Sequence, residues 1–480
     1  MKRVFLVLIT IVFSLGIYAQ PKYVFYFIGD GMGFNHVRLT QMYLAELQEK
    51  IGCEPLVMTS FPVVGIVATH SSSNPITDSA AAGTALATGK KTANGVLGLD
   101  DENEEIYSIA DTLKKIGWSV GVSTSVSIDH ATPGAFYAHV TKRSKYFKIG
   151  TQLADSDFDF FAGSSFLKPI GKVRKDSLCL YDLCEQKGYA FARGYENAQE
   201  LLDTNKLILI DHNDGLTPSQ LGKGRLAYGI EKQDTDLTLA KIVSTGVEFL
   251  SKKEKPFFFM VEGGSIDRAA HSNDAKNTIG EVLEFDSAIA VAYNFYQEHP
   301  DETLILVTAD HETGGLALGK KKQFLNLKVL QNQKVSVDSL NNAIKELHAK
   351  LGAKIQYKNV QELLTKYLGF YTNIAISKEN DALLQEKFNN IKQNKDKNVK
   401  TLYSEVYELS NLAIKMINEQ AFIGWTTTSH SANPVPLFAV GNGAENFGGC
   451  IDNSFIANKL TELLCPPLPQ DSTIVVETEE

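Results

Sequence analysis

The stretch Pro256-Phe-Phe-Phe-Met-Val-Glu-Gly-Gly-Ser-Ile-Asp-Arg-Ala-Ala-His271 decides the fold. Phe257–Val261 is an unbroken apolar run that stops at Glu262 and a pair of glycines. An unbroken run, unlike an alternating one, describes a strand buried on both faces, which is the habit of parallel sheets. Comparable runs recur along the chain. Tyr23–Ile28 leads into GDGMG, Val63–Thr69 into a serine-rich loop, and Ser119–Ser123 into SVSIDHATP. Leu304–Thr308 leads into ADHETGG and Leu437–Val440 into GNG. Helical patterns lie between them at Ala80–Thr88, Tyr107–Ile116 and Ile279–Glu298. Strands alternating with helices predict an α/β fold whose central, mostly parallel sheet is covered by helices on both faces. Ligands bind such sheets at the carboxyl ends of the strands. Asp30, Glu262, Asp267, Asp310 and His311 all fall just past those ends.

The chain has 480 residues, of which 44% are hydrophobic, enough for one large core with insertions. Its formal net charge is −9 and no basic stripe stands out, so no nucleic-acid partner is expected. Residues 1–19 read as a secretory signal: Lys2 and Arg3, an apolar stretch Val4–Ile17, then a small-residue cleavage site ending at Ala19. The stretch is short for a membrane span. The expected product is therefore exported, periplasmic or secreted, with no stable span after cleavage. The core is assigned to residues 20–319 and 426–466. Between them, residues 320–425 are Lys/Asn/Gln-rich and read as an inserted cap or crown, and residues 467–480 as an acidic tail. The five cysteines form no CxxC pair. In an oxidising compartment Cys179–Cys184 or Cys450–Cys465 are candidate bridges, and the odd count leaves one thiol over.

Six short motifs carry the chemistry. Asp30 sits in a glycine-rich turn, where a carboxylate can bridge two cations or simply cap the next helix. Ser79 opens an alanine-rich helix, at the positive end of its dipole, where an anion binds well. A serine is a poor nucleophile unless activated. No histidine adjoins Ser79 in the sequence, so a metal is the natural activator. Thr132 lies in DHATP, two residues after His130. Asp267 and His271 stand at i and i+4, on one helical face, and carboxylate plus imidazole suits zinc. Glu262 suits magnesium. Asp310 and His311 can both reach one ion from a single turn, and His430 lies in the polar loop TTTSHSANP. Arg143 offers a guanidinium fork for two phosphate oxygens, although Lys142 and Lys145 stand close by.

In this order, and above all in TDSAAAGTA, VEGGSID with His271, and TADHETGG, these residues resemble the alkaline phosphatase family. The resemblance implies hydrolysis of small phosphate monoesters through a phosphoserine on Ser79, with two zinc ions and one magnesium ion. One zinc would be held by Asp267, His271 and His430. The second would be held by Asp30, Asp310 and His311, with Ser79 joining on substrate binding. Magnesium would take Asp30, Thr132 and Glu262. Arg143 matches the phosphate clamp. Two positions depart from the best-known bacterial pattern. His130 replaces an aspartate, which predicts a weaker or more exchangeable third metal. Arg268 stands where the bacterial type usually has lysine, and adds positive charge near bound phosphate. The first strand directly follows the signal, with no N-terminal arm of the kind some members use in their dimer, so a homodimer is the less secure expectation. Rival readings are a phosphodiesterase or sulfatase of the same superfold, or a non-catalytic metal- and phosphate-binding surface protein.

Overall fold

The apolar runs pair side by side into one ten-stranded sheet. The computed structural model describes residues 20–173, 176–212, 224–321, 323–392 and 408–465, so the expected signal and acidic tail fall outside the described residues. From one edge to the other the strands run Gly449–Asp452, Val63–Ala68, Val435–Gly441, Thr303–Thr308, Tyr23–Ile28, Phe257–Glu262, Ser119–Thr124, Phe160–Gly163, Lys206–Ile210 and Tyr189–Arg193. Every pairing is parallel except the two made by Val435–Gly441. Its apolar run reads like its neighbours because direction leaves no trace in composition.

The central strands are buried on both faces, as an unbroken run requires. Side chains alternate between the faces with period two. Phe25 and Phe27 meet Phe295 and Phe285 of the helix Ala275–Glu298 on one face. Tyr26 points to the other face, against Phe136 and the Leu86 carbonyl of the helix Ser79–Thr88. Ala275–Glu298 starts four residues earlier than its apolar pattern predicts. The reason is Asp274, whose carboxylate accepts the Asn277 N–H and caps the first turn.

The register places the site. Ile28 is level with Glu262 on one side and Thr308 on the other, and Thr124 is also level with Glu262. Four neighbouring strands therefore end together, and the loops that follow them share one edge.

Within the 320–425 stretch, Leu340, Leu364, Leu384 and Ile417 belong to a second apolar cluster. Leu39 and Tyr43 of the helix Phe34–Leu47 join that cluster, as do Ala275 and Ile279. Asp274 ties the two parts together by accepting from Gln333 Nε2 (2.8 Å) and the Val337 N–H (2.9 Å). Leu316–Leu318 pairs with Ile423–Trp425, which brings the two ends of the stretch side by side.

All five cysteines are free, which corrects the bridges considered from spacing. Cys184 lies in the helix that Cys179 caps, five residues on and about 140° round the axis. Cys450 lies in an edge strand and Cys465 ends the following 12-residue helix, about 18 Å further along. Among the described residues no helix is long and apolar enough to cross a membrane.

Candidate metal and phosphate site

Asp30, Glu262, Asp310 and the N-terminus of the helix Ser79–Thr88 converge at the shared strand edge. Close approach depends on Gly31, which has φ 75° and whose missing Cβ would lie 2.9 Å from the Asp267 Cα. No other residue would fit that turn without strain. The Gly31 N–H donates to Asp310 Oδ1 (3.1 Å), as does the His311 N–H (2.9 Å). This fixes the Asp310 carboxylate and leaves its Oδ2 buried without a hydrogen-bond partner. Both Asp30 oxygens, Glu262 Oε1, Thr132 Oγ1 and His130 Nδ1 are likewise buried and lack a hydrogen bond. Unmatched buried acceptors are rare in folded proteins and need an explanation.

Three sets of side chains bring ligand atoms within one ion's reach: Asp267, His311 and His430; Asp30, Asp310 and His311; and Asp30, His130 and Glu262. The second set coincides with a trio expected from the resemblance. In the first, His311 stands where His271 was expected, yet His271 Nε2 lies 3.2 Å from Asp267 Oδ2 and belongs to the same neighbourhood. In the third, His130 joins Asp30 and Glu262, with His130 Nδ1 3.5 Å from Glu262 Oε1.

The imidazoles are held by their outer nitrogens. His271 Nδ1 contacts the Thr428 carbonyl at 2.6 Å and His430 Nδ1 the Thr77 carbonyl at 2.8 Å. A carbonyl has no proton to give, so each Nδ1 carries a hydrogen and each Nε2 is turned inward. The rings form a row: His311 and His430 centroids are 3.5 Å apart, and His430 and His271 are 5.1 Å apart. Ser79 Oγ lies 3.1 Å from His311 Nε2 at the start of the row. The histidine that is absent from its sequence neighbourhood is thus supplied from 232 residues away.

The electrostatics match a cation site. Burial, then Asp310, Asp267 and Glu262, push the Asp30 carboxyl far above its ordinary range. Burial and Asp267 push Asp310 up to about 8. Burial holds the His311 imidazole well below its usual basicity, with His430 adding to the effect. For His271 burial acts in the opposite sense to Asp267, and the carboxylate prevails, raising it to about 9. Asp267 is the exception, since burial acts to raise it but His271, His430 and His311 hold it well below its ordinary range, whereas Asp30 and Asp310 resist ionising for want of positive charge. The residue set thus fits divalent cations: hard carboxylate oxygens, imidazole nitrogens and unmatched acceptors on one point.

Arg143 Nη1 lies 3.2 Å from Asp78 Oδ2, and its Nη2 lies 3.3 Å from His130 Nε2. Asp78 was not singled out by the sequence. Its Oδ1 accepts the Ala81 N–H (3.1 Å) and the Gly95 N–H (2.9 Å), so one carboxylate caps the Ser79 helix and aims the arginine. Thr313 and Glu312 were also missed. Thr313 Oγ1 donates to Asp267 Oδ1 at 2.5 Å. Glu312 is buried and accepts from the Gly315 and Leu316 N–H groups and from Ser431 Oγ, tying the His311 turn to the His430 loop. Both follow His311 directly in ADHETGG, which was the available signal. Arg268, half-buried, is close enough to depress the His130 imidazole, behind burial and the opposing pull of Glu262.

The family described as Alkaline phosphatase matches residues 21–158 and 166–466. Alkaline phosphatase 4 of Bacillus subtilis is 29% identical over 456 residues, covering 93% of this chain and 89% of that protein. The repressible alkaline phosphatase of Saccharomyces cerevisiae is 27% identical, covering 90% of this chain and 78% of that protein. A cold-active alkaline phosphatase from a psychrophilic Shewanella species superposes with a TM-score of 0.77 at 27% identity, covering 92% of this chain and 99% of its own. The Thermus thermophilus alkaline phosphatase shares the fold with a TM-score of 0.75 at 23% identity, covering 95% and 96%.

Proposed function

This chain belongs to the alkaline phosphatase family and is a phosphoric monoester hydrolase, and from that premise we propose that Ser79 forms a phosphoserine intermediate in a site completed by two zinc ions and one magnesium ion. The observation that carries the reading is the position of Ser79. Its hydroxyl sits at a helix N-terminus, close to buried carboxylate oxygens that have no hydrogen-bond partner. Asp267, His271 and His430 would hold one zinc. Asp30, Asp310 and His311 would hold the other, with Ser79 joining on substrate binding. Asp30, Thr132 and Glu262 would hold magnesium, with His130 beside them. Bound cations would supply the charge that acidifies the Ser79 hydroxyl and stabilises the departing alkoxide.

The chain's own groups do the rest. The helix dipole and the backbone N–H at Ser79 favour an anion there. Arg143, aimed by Asp78, forks onto two phosphate oxygens, and Arg268 adds positive charge nearby. Ser79 Oγ attacks phosphorus in line, the ester P–O bond breaks, and the alcohol leaves on the face opposite Ser79. Water then attacks the phosphoserine from the vacated face, releasing phosphate and restoring the hydroxyl. The contact between Ser79 and His311 also raises a metal-free Ser–His pair. That reading is weaker, because His311 Nδ1 has only Thr313 Oγ1, at 3.3 Å, where such pairs place an orienting carboxylate. The same proposal includes export through residues 1–19 to the periplasm or beyond.

The test is hydrolysis of an aryl phosphate monoester by protein lacking residues 1–19, before and after chelation and restoration with zinc and magnesium. The expected result is metal-dependent turnover far above that of the matching diester and sulfate. Turnover indifferent to chelation, or a preference for diester or sulfate, overturns the proposal.

A further inference from the structure

A cavity of about 400 Å3 opens beside His271, between the core and the 320–425 stretch. That volume falls within the range of about 300–1,000 Å3 usual for small-molecule sites. On its core side are the residues from His271 to Asn273, with Thr428. The remaining wall comes from Lys320, from the helix Glu408–Gln420, and from Ile423 and Trp425. Asn411, Lys415, Asn418 and Glu419 recur in that helix at i, i+4, i+7 and i+8, so one polar face is turned to the cavity. The opposite stripe, with Leu409, Ala413 and Ile417, is buried in the second apolar cluster.

The cavity's position follows from the chemistry proposed above, on which this inference rests. The row of rings runs from Ser79 through His311 and His430 to His271, with steps of 3.5 and 5.1 Å between ring centroids. In-line displacement sends the leaving oxygen away from Ser79, toward the His271 end of that row. The alcohol carried by that oxygen then emerges where the cavity begins.

The lining states what kind of alcohol fits. Its polar part includes the Asn411 amide, the Ser272 and Thr428 hydroxyls and the ammonium groups of Lys320 and Lys415, while Asn418 Nδ2 is already given to the Asn273 carbonyl (2.6 Å). Amides both donate and accept, and so does each hydroxyl of a sugar. An alkyl or aryl group would desolvate the Asn411 amide without pairing it, a mismatch that binding sites discriminate against. Trp425 adds a flat ring surface to the wall. Lys320 lies 3.6 Å from Glu419, so those two charges offset each other and Lys415 leaves the lining with a positive excess. We propose that this cavity is the leaving-group subsite and that the preferred substrates are sugar phosphates, whose hydroxyls are read by the polar face of the helix Glu408–Gln420.

The test compares the wild type with the double variant Asn411→Ala/Lys415→Ala on glucose 6-phosphate, p-nitrophenyl phosphate and adenosine 5′-monophosphate. Both side chains are exposed, so the fold should survive, and an unchanged melting temperature checks this. Losing two hydrogen bonds should lower kcat/KM for glucose 6-phosphate about tenfold or more. The aryl ester should change less than twofold. An equal fall on both esters, or none, overturns the subsite. A selective loss on the nucleotide alone overturns the sugar assignment in favour of a nucleoside. If the wild type does not hydrolyse the aryl ester at all, the failure lies in the phosphatase mechanism and not in the subsite.

Discussion

Replacing Glu281 by glutamine should stabilise the protein at alkaline pH. Glu281 lies in the helix Ala275–Glu298, is only 5% exposed, and accepts the Gly229 N–H at 2.7 Å. Burial pushes its carboxyl up to about 8, against the opposing pull of that hydrogen bond and of Arg225. In the unfolded chain the same group titrates near the ordinary 4.5. A folded value above the unfolded one means that the folded state holds the proton more tightly. The stabilisation is therefore complete below about pH 4.5 and is lost as pH rises through about 8. Each pH unit in that window removes up to about 1.4 kcal/mol, so the whole interval sets a ceiling of roughly 5 kcal/mol. Glutamine is neutral throughout and keeps a carbonyl for Gly229. The variant should match the wild type at pH 5 and exceed it by a few kcal/mol at pH 8.5. For a chain of this size that corresponds to about 1 °C per kcal/mol. The assay is thermal unfolding of zinc- and magnesium-loaded protein at several pH values between 5 and 9. Parallel melting curves for the two proteins, or a variant that is less stable at pH 8.5, would refute the reasoning.

Ser79→Ala should lower turnover by about a thousandfold or more while zinc binding, measured by chelator competition, stays near wild type. An active alanine variant would remove Ser79 from the mechanism. Arg143→Ala should lower kcat/KM for an aryl phosphate about 10- to 100-fold, the worth of a charge-assisted fork. Asp78→Asn should reproduce part of that loss, because Asp78 Oδ2 restrains the guanidinium at 3.2 Å; wild-type kinetics in Asp78→Asn would sink the aiming role. Magnesium added to zinc-restored enzyme should raise the rate, and His130→Asp should lower the magnesium needed for half-maximal activation about tenfold, since carboxylate suits that ion better than imidazole. The same variant should raise KM, because a new carboxylate beside Arg143, now 3.3 Å from His130 Nε2, competes with phosphate. A rate indifferent to magnesium in both proteins would remove the third site from the account.

The parts of this protein that are legible in its sequence are those governed by local patterns. Phe257–Glu262 announces a strand buried on both faces because every residue from Phe257 to Val261 is apolar. Glu262 and Asp310 announce a candidate site because they stand just past the carboxyl ends of such strands, where ligands bind α/β sheets. What stays hidden depends on partners that are far apart in the chain. The run Val435–Gly441 carries no mark of its antiparallel direction. Nor does Asp78 carry a mark of its hold on Arg143, 65 residues away. Residue type predicts what a side chain can do, and only the fold decides which side chains it meets.

Ser79 shows why this matters for chemistry. Read along the chain, it is a serine without a base, and a metal is inferred from the gap. Read in the structure, it has an imidazole at 3.1 Å, yet the inference stands. That imidazole is buried and depressed in basicity, and its Nε2 also lies 3.4 Å from Asp30 and 3.3 Å from Asp310. A base that served Ser79 alone would need neither carboxylate so close to the same nitrogen. Three acceptors and one hydroxyl directed at a common point fit the proposed cation site, which Ser79 would join as its last ligand. On the function proposed above, the contact that first looks like an alternative to metal activation is the inner edge of the metal site.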